Sequence, residues 1–238
     1  MVGLLVVDKP LGFSSMAVVR YVRRAAGVRK VGHAGTLDPL ATGVVLCAIG
    51  RPATRCINQL MGMGKVYEAE VDLSAFTATD DREGAREEIA VDQPPTEAAV
   101  RDVLGGFIGE IQQVPPVFSA VHVGGKRAYK LARQGEKVTL GPRSVRIDAI
   151  DLLAYQWPIA TLRIHCGKGV YIRSLARDLG VALGVGGHLQ SLRRTAVGDY
   201  TIDMAVTTER LRHPLEPHDL LAIPTAFTHH LAIRPAGG

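Results

Sequence analysis

At 238 residues, with 47% hydrophobic and 21% charged side chains, the sequence has the balance of a folded protein with ample apolar material for a core. Its three cysteines (Cys47, Cys56 and Cys166) are far apart and none has CxxC spacing, which argues against a disulfide framework or a cysteine zinc site and for a reducing compartment. The net charge is +5, no apolar run is long enough to cross a bilayer, and residues 1–7 meet Asp8-Lys9 too soon for a secretion signal, so a cytoplasmic protein is expected.

Residues 4–7 read as a short buried strand, turned by Lys9-Pro10-Leu11-Gly12. Ser14 or Ser15 caps a helix running to Ala26, with Val18, Val19, Val22, Ala25 and Ala26 on one side and Arg20, Arg23 and Arg24 on the other. Gly27 ends it. Gly32-His33-Ala34-Gly35-Thr36-Leu37-Asp38-Pro39-Leu40-Ala41-Thr42-Gly43 holds three glycines, a proline and two threonines, so it reads as an irregular, tightly turned loop. Residues 44–49 are continuously apolar and predict a central strand. Pro52 suits the first turn of a helix reaching Leu60.

Residues 66–73 alternate, placing Tyr67, Ala69, Val71 and Leu73 on one face and Glu68, Glu70 and Asp72 on the other; Tyr67 therefore points inward. Residues 74–84 read as a polar loop, and Thr96 opens a helix to about Leu104. Residues 114–123 predict an extended, proline-punctuated strand, and residues 128–133 a short helix in basic surroundings that include Lys126, Arg127, Lys130 and Arg133. Strands follow at 140–153 and 161–166. A helix over 170–183 turns Ile172, Leu175, Ala176 and Leu179 inward, with Arg173 and Arg177 on a different face. After residue 205 only a short helix near 208–212 is expected, and no further strand.

Charge is segregated. Residues 9–37 carry six basic side chains and no acid, whereas residues 72–110 carry ten acids against three arginines. Such segregation suggests a basic face for a polyanion, with an acidic segment turned away from it.

Several familiar sites are absent. Residues 27–32 have the glycine spacing of a phosphate loop, but His33 stands where lysine is required. Gly12-Phe13-Ser14-Ser15-Met16 lacks the final glycine of a nucleophile elbow. The eight histidines show no metal-ligand spacing. What remains is one carboxylate, Asp38, in the loop over 32–43. Asp before Pro is biased to an extended conformation, and Leu37 and Leu40 flank it with apolar side chains. An Asx-turn and a functional carboxylate are both open on the residues alone.

The loop sequence GHAGTLDPLATG resembles the catalytic motif of the TruB family of tRNA pseudouridine synthases. Further matches follow in family order: Leu5-Val6-Val7-Asp8-Lys9-Pro10-Leu11-Gly12-Phe13-Ser14-Ser15, Lys65-Val66-Tyr67-Glu68, Pro115-Pro116-Val117-Phe118-Ser119-Ala120, Lys168-Gly169-Val170-Tyr171-Ile172-Arg173-Ser174 and Leu192-Arg193-Arg194-Thr195. Thr77-Ala78-Thr79-Asp80-Asp81 is similar to the family's Thr-x-Thr-x-Asp loop. The resemblance implies an α+β protein of the pseudouridine synthase fold, with a central mixed, largely antiparallel sheet flanked by helices.

It also implies roles. Asp38 corresponds to the nucleophile, Tyr67 to a tyrosine that packs against the target base, and Arg173 to an arginine that pairs with the nucleophile. His33 corresponds to a histidine that fills the gap left by the flipped nucleotide, and Tyr171 and Leu192 to residues lining the uridine pocket. Lys9 and Lys168 match positions close to the site. The implied substrate is the uridine at position 55 in the T-loop of tRNA, bound through the T-arm, with no cofactor, metal, membrane or obligate protein partner. Residues 1–204 are expected to form the catalytic domain and residues 205–238 a short extension, without the PUA domain common in bacterial relatives. Two rivals follow from the same residues: a catalytically silent RNA-binding or RNA-chaperone protein on this fold, and a hydrolase pairing Asp38 with a second carboxylate.

Overall fold

The computed structural model of the chain describes residues 1–228 apart from Ala120, Gly124, Tyr129, Lys130, Ala132, Arg133, Gly135 and Lys137. Two units result, one of Met1–Lys65 with Arg193–Gly238 and one of Val66–Leu192.

In the first unit the apolar run near the N-terminus forms β1 (Gly3–Lys9), followed by α1 (Ser15–Ala26). The Ser14 side chain accepts the Ala17 N–H at 3.1 Å, and Gly27, at φ 62°, closes the helix in the left-handed conformation that glycine adopts without strain. Val18, Val19, Val22, Ala25 and Ala26 form its buried face, as their spacing predicts. Next come β2 (Val31–His33) and β3 (Ala41–Ile49), which begins three residues before the expected strand. β1 and β3 pair antiparallel from Gly3 opposite Ile49 to Lys9 opposite Gly43, and β2 lies along β3 as well. Leu4, Val6, Val44, Leu46 and Ala48 make the core there, joined by Ala53, Leu60, Val197 and Tyr200. Each fully buried Val or Leu contributes roughly 1.5–3 kcal/mol.

The helix expected from Pro52 to Leu60 is instead two short ones, α2 (Gly50–Arg55) and α3 (Ile57–Gly62). Cys56 breaks them: its ψ is 3° and its N–H turns back to Ala53 O at 3.0 Å, a tight turn rather than a continuing α-helical one.

The long strand β12 (His188–Val197), for which the sequence offered no alternation, contributes its end from Arg193 to this unit, beside β3. Beyond it, β13 (Tyr200–Thr201) pairs with β12 and β14 (Val206–Thr207) pairs parallel with Val7 and Asp8 of β1. Leu4 and Leu221 exchange both main-chain hydrogen bonds at 2.8 Å. The expectation of no strand after residue 205 is therefore corrected; pairings of one or two residues leave no periodicity to read. The helix expected near 208–212 is a single 3-10 turn at Arg210–Arg212.

The second unit orders its strands β12, β4 (Lys65–Asp72), β11 (Ile159–Cys166), β10 (Arg143–Gln156) and β7 (Gly109–Gln113). The β10–β11 and β10–β7 pairs are antiparallel. With a parallel pair at β1–β14 and antiparallel pairs at β1–β3, β2–β3, β12–β13, β10–β11 and β10–β7, the strand pairing is mixed and largely antiparallel. The expected polar loop over 74–84 contains β5 (Ala75–Thr77), which pairs with β6 (Arg86–Glu88) as a small hairpin. Helix α4 (Glu97–Gly105) is capped by Thr96, and α5 (Ile172–Leu183) follows Tyr171 and ends at Gly184.

Among the described residues, the strand expected over 114–123 does not form as one element. β7 ends before it, and only the two-residue β8 (His122–Val123) pairs with β9 (Lys126–Arg127). Pro115 and Pro116 supply no N–H to a ladder. The helix expected over 128–133 falls partly outside the described residues, as do Lys130 and Arg133. Among the described residues no helix is long and apolar enough to cross a membrane.

Candidate active site

The Asp38 loop connects β2 to β3 and is fastened on both sides of the carboxylate. On one side, Ser15, the first residue of α1 and only 2% exposed, bonds Leu37 twice: its Oγ accepts the Leu37 N–H at 2.8 Å and donates to the Leu37 carbonyl at 3.1 Å. On the other, Pro39 O accepts the Gly12 N–H at 2.8 Å and a weaker bond from Lys9 Nζ at 3.4 Å. Asp38 O itself accepts the Ala41 N–H at 3.1 Å, closing the turn into β3. Leu37 and Leu40 are buried and Asp38 is half-buried between them. A side chain so placed has its backbone fixed while its carboxylate keeps access to the surface.

Lys9 and Arg194 are both buried and both bond to the main chain of this loop. Lys9 is fully buried and donates to Phe13 O at 2.7 Å and Pro10 O at 3.1 Å as well as to Pro39. Burial lowers its pKa to about 8, with Arg194 pushing in the same direction and Asp38 and Asp8 opposing it. Arg194, 1% exposed, donates from Nε to Val44 O at 2.7 Å and from Nη2 to Gly35 O at 3.1 Å, so it binds the Asp38 loop to β3. The main chain of Arg194 passes so close to Gly43 that a Cβ there would collide with the Arg194 carbonyl, and Gly43 stands at φ 98°. Glycine is required at that position by space and conformation alike. His33, at the end of β2, is half-buried; burial, with Arg194, holds its imidazole below the usual histidine value, so a neutral ring is favoured there.

In the second unit, Tyr67 lies on the buried face of β4, 8% exposed, where the alternation puts it. Arg173 sits in the first turn of α5 and, although off the apolar stripe, is buried. Its guanidinium donates to Phe118 O at 2.9 Å and Thr79 O at 3.3 Å and pairs with Asp81 Oδ2 at 3.4 Å. Asp81 is held in turn: its Oδ1 accepts the Thr79 hydroxyl at 2.5 Å and the Glu83 N–H at 3.0 Å, and its carbonyl accepts the Thr77 hydroxyl at 2.7 Å. The Thr-x-Thr-x-Asp run thus builds a loop whose last carboxylate orients Arg173. Arg177, one turn on, pairs with Asp80 at 2.8 Å.

Tyr171 precedes α5, and the buried Gln113 side chain clasps it, accepting its N–H at 2.8 Å and donating to its carbonyl at 3.1 Å. Leu192 is half-buried on β12, and Lys168 is exposed in the turn between β11 and α5. Of the residues singled out from sequence, the first unit brings Lys9, His33 and Asp38 together around Arg194. The second holds Tyr67, Lys168, Tyr171, Arg173 and Leu192. Sequence reasoning did not single out Ser15, Arg194, Gln113 and Asp81 as supporting groups. Ser15, Arg194 and Asp81 lay within quoted motifs; Gln113 left no signal. No cluster of three metal-ligating side chains occurs among the described residues.

Comparison with known proteins follows the same lines. Residues 23–172 match the model of the TruB family pseudouridylate synthase N-terminal domain, and residues 173–219 that of the tRNA pseudouridylate synthase B C-terminal domain. A protein of Arthrobacter sp. (strain FB24) named tRNA pseudouridine synthase B is 48% identical, the match covering 90% of this chain and 72% of the relative. One of the same name from Mycobacterium sp. (strain KMS) is 43% identical over 99% of this chain and 85% of its own. Among solved structures, a Cbf5-Nop10-Gar1 complex superposes with a TM-score of 0.67 at 32% identity over 86% of this chain. An H/ACA RNP bound to a substrate RNA containing 2'-deoxyuridine gives 0.65 at 28% over 87%. This chain spans about half the length of those two solved chains (52% and 51%).

Proposed function

Since the chain belongs to the TruB family of pseudouridine synthases, we propose that it converts the uridine at position 55 of the tRNA T-loop to pseudouridine, in the cytoplasm, using the residues of 1–204. The reaction breaks the N1–C1′ bond, turns the uracil and rejoins it through C5; the proton lost from C5 is balanced by one gained at N1. Neither redox change nor a second substrate is involved, so side chains can carry it without a cofactor.

The target base leaves its stack to reach the site, and His33 occupies the gap, uncharged and partly apolar. Asp38 is the nucleophile while the glycosidic bond is open. Tyr67 packs against the base, and Tyr171 and Leu192 close the pocket, keeping water from the detached uracil. Arg173, oriented by Asp81, is the arginine that the family resemblance pairs with the nucleophile. Lys168 contacts the RNA backbone. Lys9, expected at the site, acts from beneath it by holding Pro39.

The observation that carries this reading is the double fastening of the Asp38 loop, through Leu37 to Ser15 and through Pro39 to Lys9 and Gly12. Such fixation of one half-buried carboxylate suits a group that must attack in a set geometry. Incubation of the protein with an unmodified tRNA transcript, followed by mapping of pseudouridine, tests it. Pseudouridine at position 55 is expected; binding without any modification would instead favour the RNA-chaperone alternative.

A further inference from the structure

On the first unit, the end of α1 remote from Ser15 carries a shallow, open depression lined by Arg20, Arg23, Arg24, Gly27, Val28 and Arg29. Arg23 is spoken for, donating to Val31 O at 2.9 Å. Arg20, Arg24 and Arg29 are exposed and have no hydrogen-bond or ion-pair partner among the described residues. Arginines in a last helical turn are often explained by the helix dipole. Here Arg23 and Arg24 already satisfy that role, and Arg20 lies a turn earlier and Arg29 beyond the cap.

The neighbouring segment does not neutralise them. It reaches α1 through the Leu215 N–H bonded to Ala25 O at 2.9 Å and carries Glu209, Glu216 and Asp219. Glu209 pairs with its own Arg212 at 2.7 Å, and Asp219 with Arg210 at 2.8 Å. Glu216 accepts a main-chain N–H in its own turn. The depression therefore keeps a surplus of unpaired guanidinium.

A second observation points to the kind of anion. Tyr21, adjacent to Arg20, is 37% exposed, its ring tilted against Phe13 with centroids 5.8 Å apart. An aromatic face held beside unpaired arginines suits a polymer that offers phosphates and flat bases together. A free phosphate would use the arginines alone.

We propose that this outer face of α1 is a second RNA-contact site, at which Arg20, Arg24 and Arg29 bind backbone phosphates and Tyr21 stacks on a nucleotide outside the target position. The inference rests on the reading of the protein as an RNA-modifying enzyme. Its place follows from the helix: Ser15 is bonded to Leu37, next to Asp38, and twelve helical residues span about 18 Å. The strand engaged at Asp38 therefore meets the depression only a few nucleotides away.

The test is an Arg20→Ala/Arg24→Ala/Arg29→Ala variant and, separately, Tyr21→Ala against Tyr21→Phe. RNA binding is followed by fluorescence anisotropy of an unmodified transcript across a salt series, and conversion by single turnover at saturating RNA. The triple variant should bind at least 10-fold more weakly at low salt, with the log–log salt slope reduced by about 0.7–0.9 for each phosphate no longer neutralised. Its saturated rate should match wild type. Tyr21→Phe should bind as wild type and Tyr21→Ala several-fold more weakly. Unchanged affinity and slope in the triple variant would overturn the inference, as would a lost saturated rate at wild-type affinity. Inorganic phosphate competing at equal strength against wild type and triple variant is expected; selective relief of its competition in the triple variant, with RNA affinity unchanged, would make the depression a free-phosphate site and also overturn it. Because these readouts are binding constants, they remain measurable if position 55 proves not to be the target.

Discussion

Ser15 and Leu37, 22 residues apart, are joined by two hydrogen bonds through a single hydroxyl, 2.8 Å from the Leu37 N–H and 3.1 Å from its carbonyl. The side chain does what a neighbouring strand would do for an edge residue, and it does so at the position before Asp38. Ser15→Ala leaves both main-chain groups of a buried residue without that partner. A loss of about 1–3 kcal/mol is expected in urea unfolding, together with a fall in isomerisation rate larger than any loss of RNA affinity. A stable variant with full rate would show that the clamp is not needed for chemistry.

Lys9 gives the pH dependence a sign. The unfolded chain keeps the proton to about pH 10.5, whereas the folded protein releases it at about 8. Between those values the unfolded state binds more protons, so this group's contribution to stability rises with pH. Urea midpoints of wild type and Lys9→Met, compared at pH 7.5 and 9.5, should diverge in favour of wild type at the higher pH. A constant difference would mean that burial does not perturb Lys9.

Asp81 faces Arg173 with both side chains nearly excluded from solvent, 4% and 8% exposed. Removing one member of such a pair typically costs about 3–5 kcal/mol, because the other charge is left buried. Asp81→Ala should show that loss in urea unfolding and should lower the saturated rate, since Arg173 loses the carboxylate that orients it. If Asp81→Asn, which keeps the acceptor, restores stability but not rate, the charge rather than the shape of Asp81 matters to Arg173.

Much of this was legible in the sequence where one local rule sufficed. A cap at Ser14 or Ser15, the apolar stripe of α1 and the Gly27 stop set that helix to within one residue at its start, where Ser14 proves to be the cap, and the alternation in β4 placed Tyr67 inward. Elements made by distant partners were not legible. β12 carries Gln190, Arg193 and Arg194 among its apolar residues and shows no period of two, because Arg193 reaches out to pair with Asp8 while Arg194 turns inward to main-chain carbonyls. The stretch over 114–123 was expected to be extended in spite of its prolines, but Pro115 and Pro116 supply no N–H to a ladder, so extended backbone there does not become a paired strand. In the candidate site, the residues with chemical character were visible as motif members. The groups that hold them, Ser15 and Gln113, are uncharged side chains whose role exists only once Leu37 and Tyr171 come beside them.

Asp38→Asn is the most direct measurement of the central assignment. The substitution keeps the size and shape of the side chain and leaves the bonds from Ser15, Gly12 and Lys9 to the flanking main chain in place. The account predicts that the Asn variant binds an unmodified tRNA transcript within a few-fold of wild type and forms no pseudouridine in a single-turnover reaction. Conversion at a measurable fraction of the wild-type rate, in protein free of deamidated Asp38, would contradict it.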